Sequence, residues 1–361
     1  MTTKKKPTTL RKAPTPRKAP TPRKAAKPAV SWKPHTIPGI DVRLWKAHRT
    51  DADGDEIVPF GVPEIKPNYV FREDLVRELA WAIWPHDNPK PAHAKNWTPS
   101  LLAGPKGSGK TSLILQLAAR CNVPVWRVNL NVGTTVRHLK GRIGAEPGRT
   151  VFVPGVVTSA MEQGGWLILD EFAAGSPPVL LSLFPVLEPD GAVLLEDAQP
   201  PRYVRRHPEF RVFATDNALG AGMEEDRFAY SGTNPDLNEA LLDRFGSFVE
   251  VPYMSADHEK IAVQSAIPAL DSDVVDGMVR VAGDVRAGGE VSAGFSTRML
   301  LDWGRRISAG TMRANGKIQT ASADDTDILA AAYGAFLNRQ KSQCERDAIV
   351  AVIRRIFVVM Q

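Results

Sequence analysis

The stretch GPKGSGKT at residues 104–111 constrains this chain more than any other. It fits the pattern G-x-x-x-x-G-K-[ST] in full, with the apolar LLA before it and SLILQLAARC behind it. A strand, a glycine-rich turn and a helix in that order place the turn at the end of a strand and the start of a helix. The residue types follow from phosphate chemistry. Gly104, Gly107 and Gly109, with Pro105, Lys106 and Ser108 between them, let backbone N–H groups turn inward around a β-phosphate. The helix that begins here and carries Ser112 adds the favourable end of its dipole. Lys110 reaches the β- and γ-phosphates, and the Thr111 hydroxyl ligates Mg2+. The loop therefore implies ATP and Mg2+ as cofactors.

The surrounding pattern is that of an α/β domain. Between residues 97 and 253 the short apolar runs WTPSLLAG, VPVWRVNL, GWLILDEF, EFRVFAT and SFVEV alternate with helical segments. Near-continuous apolarity is the mark of strands buried on both faces, and the alternation predicts a parallel sheet with helices on both faces. VLEPDGAVLLED sets Asp190-Gly191 between apolar segments, a hairpin signal just before the fourth run. Residues 39–96 form an N-terminal extension in which FREDLVRELAWAIW reads as an amphipathic helix, with Phe71, Leu75, Val76, Leu79 and Ile83 on one face. The Pro-rich NPKPAHAKNW after it reads as a linker or turn. Residues 254–361 read as a smaller all-helical lid, from Ser255 as N-cap of ADHEKIAVQSAI through TRMLLDWGRRI and DDTDILAAAYGAFLNRQ to ERDAIVAVIRRIF.

Charge separates the first segment from the rest. Residues 1–33 carry eight Lys and three Arg and no acid, so removing these eleven charges from the total of +6 leaves a body of −5. Within residues 1–38, RKAPTP appears twice in full and begins a third time, among eight prolines. Such a tail cannot bury enough apolar surface to offset its ordering entropy and is expected to be disordered. It could hold nucleic acid non-specifically, but has no aromatic side chain for base stacking up to Ala29. No apolar run is long enough to span a bilayer, so no membrane role and a cytoplasmic location are expected. Cys121 and Cys344, far apart, read as buried free thiols in a reducing compartment. The seven histidines show no metal-ligand spacing.

GWLILDEF at 165–172 would bring two carboxylates to the end of a strand beside the phosphate loop. Asp170 would hold the Mg2+ shell and Glu171 would act as general base on the attacking water. Three further residues have two readings each. Asn217 after RVFATD could orient that water or simply cap a turn. Arg244 in ALLDRFGSF could reach the γ-phosphate of a neighbouring subunit or complement a helix end. Arg298 in GFSTRMLLDW could face the site or be a solvated helix arginine.

Taken together, the phosphate loop, the Asp-Glu strand, the Asn at the next strand end, the Arg before the last strand and the Arg on a lid helix resemble the AAA+ ATPases. The hairpin before RVFATDN is similar to that of the MoxR-type subgroup. VPEIKPNYVF, WRVNL, HPEFRVFATDNALG, YSGT, LLDRF and FLNRQKSQCERDAIVAVIRRIF resemble the ATPase subunits of aerobic cobaltochelatases, which places the chain in a MoxR/CobS group from about residue 60 onward. The resemblance implies a P-loop NTPase (AAA+) fold, with Asn217 as sensor-1 residue, Arg244 as arginine finger and Arg298 as sensor-2 arginine. It implies a ring, usually a hexamer, that uses ATP to remodel a partner protein, often one with a von Willebrand-type metal-dependent domain. Asp216 departs from the family pattern, which often has a small residue there. The basic repeats also lie outside the chelatase pattern and argue against carrying over tetrapyrrole metallation. The competing expectation is a nucleic-acid motor or loader built on the same core, with the tail as its grip. The chain shows no recognisable DNA-binding module, which favours the protein remodeller.

Overall fold

The computed structural model describes residues 37, 60–83, 97–217, 240–288, 294–313, 325–340 and 342–359. In chain order the described strands are β1 (Ser100–Ala103), β2 (Val125–Asn129), β3 (Gly141–Glu146), β4 (Arg149–Pro154), β5 (Trp166–Asp170), β6 (Ala192–Leu195), β7 (Arg202–Arg205), β8 (Arg211–Asp216) and β9 (Ser247–Glu250). The helices of the first part are α1 (Glu73–Ile83), α2 (Lys110–Arg120), α3 (Val136–Lys140), α4 (Val156–Gln163), α5 (Pro177–Ser182) and α6 (Phe184–Leu187). From residue 256 onward come α7 (Ala256–Ala266), α8 (Ser272–Gly288), α9 (Thr297–Arg313), α10 (Asp325–Ala335) and α11 (Gln343–Val359).

The five apolar runs form one sheet in the order β2-β5-β8-β1-β9, and each pairing in it is parallel. Parallel neighbours need crossovers, which bring helices over both faces. Two-residue alternation divides the strand side chains between those faces. Leu102, Ile168 and Phe213 pack with Leu79 of α1 and with Ile114 and Leu117 of α2. Leu101, Leu167, Val212 and Ala214 pack on the other side with Ala160 and Met161 of α4 and Val186 of α6. β1, β5 and β8 are buried at every position, as the apolar runs predict. β2 and β9 are not, because each is a sheet edge with a strand on one side only.

Two hairpins stand outside this sheet. β6 pairs antiparallel with β7, so a hairpin does precede β8. Its turn is not where the sequence signal points. Asp190 and Gly191 join α6 to β6, and residues 196–201 connect the two strands. The apolar segment before Asp190 is a short helix opened by a proline, a residue preorganised for a first helical turn. The second hairpin, β3 with β4, was not expected; Glu146 pairs with Arg149 across Pro147 and Gly148, the latter at φ 81°.

The described elements after Ser255 are all helices, with Ser255 Oγ accepting from the His258 N–H at 3.3 Å. Their core centres on Trp303, whose ring contacts Phe295, Phe336 and Phe357 and whose Nε1 donates to the Ile328 carbonyl at 3.0 Å. Ile37, within the segment read as disordered, is buried at 1% exposure against the α1 and α2 layer. Packing therefore begins before residue 38, at one of the few apolar side chains there. The basic repeats and YSGT at 230–233 lie outside the described residues. Cys121 is buried, but Cys344 is exposed in the first turn of α11, which corrects the reading of two buried thiols. Among the described residues no helix is long and apolar enough to cross a membrane.

Candidate functional site

The turn after β1 runs where only glycine fits. Gly104 has φ 149°, and a Cβ there would lie 2.2 Å from the carbonyl oxygen of Val251. Gly107 has φ 79°, and its Cβ would lie 2.6 Å from that of Ser296. The loop is thus pressed between the end of β9 and the segment leading into α9. Lys110 opens α2 and is buried. Its Nζ donates to the carbonyls of Gly104 at 2.8 Å and Pro105 at 3.0 Å, and to Asn217 Oδ1 at 2.8 Å. Burial pulls the Lys110 pKa down to about 8, with the carboxylates of Asp216 and Asp170 opposing the shift.

Asp170, at the end of the interior strand β5, is the hub. Its Oδ1 accepts from Thr111 Oγ1 at 2.8 Å and from Thr215 Oγ1 of β8 at 2.8 Å. Its Oδ2 pairs with Arg127 Nε of β2. Glu171 then leaves the strand in the left-handed region, φ 53° and ψ 51°. The turn that follows it is tied to β8, because Asp216 Oδ2 accepts from the Ala173 N–H at 2.8 Å. The departure at Asp216 is therefore a clasp between the strand ends that carry Glu171 and Asn217.

These strand ends and the loop enclose a cleft of about 210 Å³. Lys106, Gly107, Gly109, Lys110, Thr111 and Ser112 line it with Asp170, Glu171, Asn217 and Arg298. Arg127, Asn129 and Thr215 line it too, without having been foreseen. Ser108 is buried and faces a second, larger cavity, while Gly104 and Pro105 contribute their carbonyls to Lys110.

Arg298 reaches the cleft because a buried network fixes the start of α9. Glu259, 1% exposed, accepts from Arg286 Nη1 at 2.9 Å and Nη2 at 2.8 Å, and from Thr297 Oγ1 at 2.7 Å. Arg286 lies 4.3 Å over the ring of Tyr253, whose hydroxyl donates to the Lys106 carbonyl at 3.2 Å. The helical region and the phosphate-loop turn are joined through these side chains.

The larger cavity, about 550 Å³, opens beside the same loop between residues 64–70, α7 and α9. Ile65, Val70, Met254 and Leu301 supply apolar wall, and Arg298 faces both cavities. Residues 64–66 are strapped to α2. Gln116 Oε1 accepts from the Lys66 N–H at 2.9 Å, Gln116 Nε2 donates to the Glu64 carbonyl at 3.0 Å, and Arg120 Nη2 donates to the Lys66 carbonyl at 2.9 Å. Arg244 lines neither cavity. It sits before edge strand β9, where its Nε donates to Glu188 Oε1 at 2.8 Å and its guanidinium lies 4.1 Å over the Phe184 ring.

The comparisons with known proteins agree with this architecture. The family model described as AAA domain (dynein-related subfamily) matches residues 99–245, and that described as CbbQ/NirQ/NorQ C-terminal matches residues 259–332. The aerobic cobaltochelatase subunit CobS of Sinorhizobium sp is 33% identical over 254 residues, covering 67% of this chain and 71% of that protein. Protein NorQ of Paracoccus denitrificans is 29% identical over 213 residues, 58% of this chain and 73% of that one. Midasin of Giardia intestinalis is 36% identical over 149 residues, which is 41% of this chain but 3% of midasin. The chain belongs to the AAA+ ATPases of the MoxR/CobS group.

Proposed function

We propose that this protein hydrolyses ATP with Mg2+ and assembles as a ring, most simply a hexamer, that uses turnover to remodel or activate a partner protein. The observation that carries this reading is the cleft in which Lys110, Thr111, Asp170, Glu171, Asn217 and Arg298 converge. The residues suit the groups proposed to bind. A hydroxyl and a carboxylate oxygen 2.8 Å apart, Thr111 Oγ1 and Asp170 Oδ1, are hard donors of the kind Mg2+ prefers. A glycine loop at a helix N-terminus is a cradle for phosphate oxygens, and the cavity of about 550 Å³ beside it is of the size that takes a nucleoside.

Each residue then has a task. Residues 104–112 grip the phosphates, and Lys110 carries its positive charge to the β- and γ-oxygens. Thr111 and Asp170 hold Mg2+, which when bound neutralises phosphate charge as a Lewis acid. Glu171 accepts the proton of the attacking water, and Asn217 orients that water. Arg298 closes on the phosphates from the helical lid, residues 254–361. Arg244 acts on the nucleotide of the neighbouring subunit. The partner is a protein, with a von Willebrand-type metal-dependent domain as the first candidate by analogy with the group. Residues 1–33 tether the assembly to polyanions, nucleic acid included.

Glu171→Gln tests the chemistry. The variant should bind ATP with wild-type affinity and hydrolyse it roughly 10²–10⁴ times more slowly, the usual worth of a general base. Wild-type turnover in that variant would refute the assignment. A stoichiometric nucleic acid retained by the ATP-loaded variant, in place of a protein, would favour the motor reading.

A further inference from the structure

Arg127 has no task in the proposed chemistry, yet it lines the cleft and pairs there with Asp170. It is a charged residue in a strand whose alternate positions, Trp126 and Val128, pack on the core. Arg127 is half exposed, and its Nε is paired with Oδ2 of an Asp170 side chain that is only 6% exposed. The other carboxylate oxygen of Asp170 already accepts from Thr111 and Thr215. The pair is built by the sheet, because β2 and β5 run parallel with Asn129 level with Asp170, so a residue two positions earlier on β2 leans along the same face. Its guanidinium lines the same cleft as Lys110 and Glu171.

On the reading of this cleft as a Mg2+-nucleotide site, we infer that Arg127 is a positioning residue that substitutes for the metal at Asp170. It neutralises and orients the carboxylate until the metal takes it over, so that nucleotide can enter the cleft before or without Mg2+. Without Arg127, the Asp170 carboxylate would face the phosphates with one fewer positive charge to balance it. Phosphate binding in the absence of metal would then be opposed by like-charge repulsion. With Mg2+ present the metal supplies the missing charge and the difference shrinks. Linkage makes the effect reciprocal: if removing Arg127 makes nucleotide binding depend more on Mg2+, it must raise by the same factor the preference of Mg2+ for the nucleotide complex over the nucleotide-free protein.

The test is equilibrium binding of a fluorescent ADP analogue to the full-length protein in EDTA and in saturating Mg2+, which requires no turnover. For Arg127→Gln, the ratio of the two dissociation constants should rise about tenfold over wild type, the size expected for one charge at a partly solvated site. Arg127→Lys, which keeps the charge, should give a ratio between the two and covers the case in which Arg127→Gln does not fold. In an Asp170→Asn background, Arg127→Gln should leave the ratio unchanged, since the residue acts through that carboxylate. An unchanged ratio in Arg127→Gln, or an undiminished effect in the Asp170→Asn background, overturns the inference. A wild-type protein that binds no nucleotide under either condition overturns instead the reading on which it rests.

Discussion

At the scale of single residues, the site is a set of groups held in place by one another. Lys110 spans both sides of the cleft, from the Gly104 carbonyl to Asn217, and burial has drawn its pKa down to about 8 from 10.5. The consequence for stability and the consequence for binding have opposite signs. Above about pH 8 the folded protein sheds this proton while the unfolded chain holds it to about 10.5, so the unfolded state binds more protons in that window. This residue therefore makes the nucleotide-free protein more stable as pH rises from about 8 to 10.5, by relieving a buried charge. Phosphates need the ammonium form, so nucleotide affinity should fall over the same range. Binding should also take up a proton, readable by calorimetry in buffers of different ionisation heat. Lys110→Met should abolish the uptake together with most of the affinity. Wild-type binding without proton uptake at a pH near 9 would contradict the assignment of Lys110 as the phosphate-binding cation.

At the scale of elements, what the sequence makes legible is whatever has a short-range cause. The five runs of the sheet, α1 and the phosphate loop each follow from periodicity or glycine chemistry within about a dozen residues. The hairpin of β3 and β4 also has a local signal, Pro147-Gly148 just before the β-prone RTVFVP, as α8 has in Val275, Met278, Val279, Ala282 and Val285. Neither signal matches the near-continuous apolar runs of the sheet strands. The pairing of Arg127 with Asp170 has no local signal, since the two are 43 positions apart and meet only because β2 lands beside β5. The same holds for the network under α9, which joins Glu259, Arg286 and Thr297 from three elements. That network permits a prediction at its own scale. Glu259→Ala would leave the Arg286 guanidinium, 16% exposed, without its carboxylate. Breaking one partner of a buried pair typically costs about 3–5 kcal/mol. The helical region should lose roughly that much in urea unfolding, and nucleotide affinity should fall with it, because Arg298 depends on the same first turn. An affinity loss without a stability loss would mean that Glu259 contacts the ligand rather than the helix.

At the scale of the whole molecule, the arginine proposed to act on a neighbour's nucleotide stands outside the cleft of its own chain. Arg244 precedes β9, an edge of the sheet, and lines neither cavity of its own chain. Its guanidinium is instead held by Glu188 and stacked on Phe184, at the base of the hairpin formed by β6 and β7. An arginine fixed at a sheet edge can serve a second copy of the chain, and closed rings of identical subunits repeat one such heterologous contact at every interface. Arg244→Ala should then bind nucleotide with near wild-type affinity but fail to turn it over, while Lys110→Ala should fail at binding. Mixed in equal amounts and allowed to exchange, the two should recover activity. An intact cleft comes from the Arg244→Ala subunit and an intact arginine from its Lys110→Ala neighbour, which random assembly places side by side at about a quarter of the interfaces. Activity in the mixture approaching that fraction of wild type, measured by steady-state hydrolysis across mixing ratios, supports action in trans. If Arg244 worked within its own subunit, no ratio would restore turnover, because no subunit in the mixture would hold both residues.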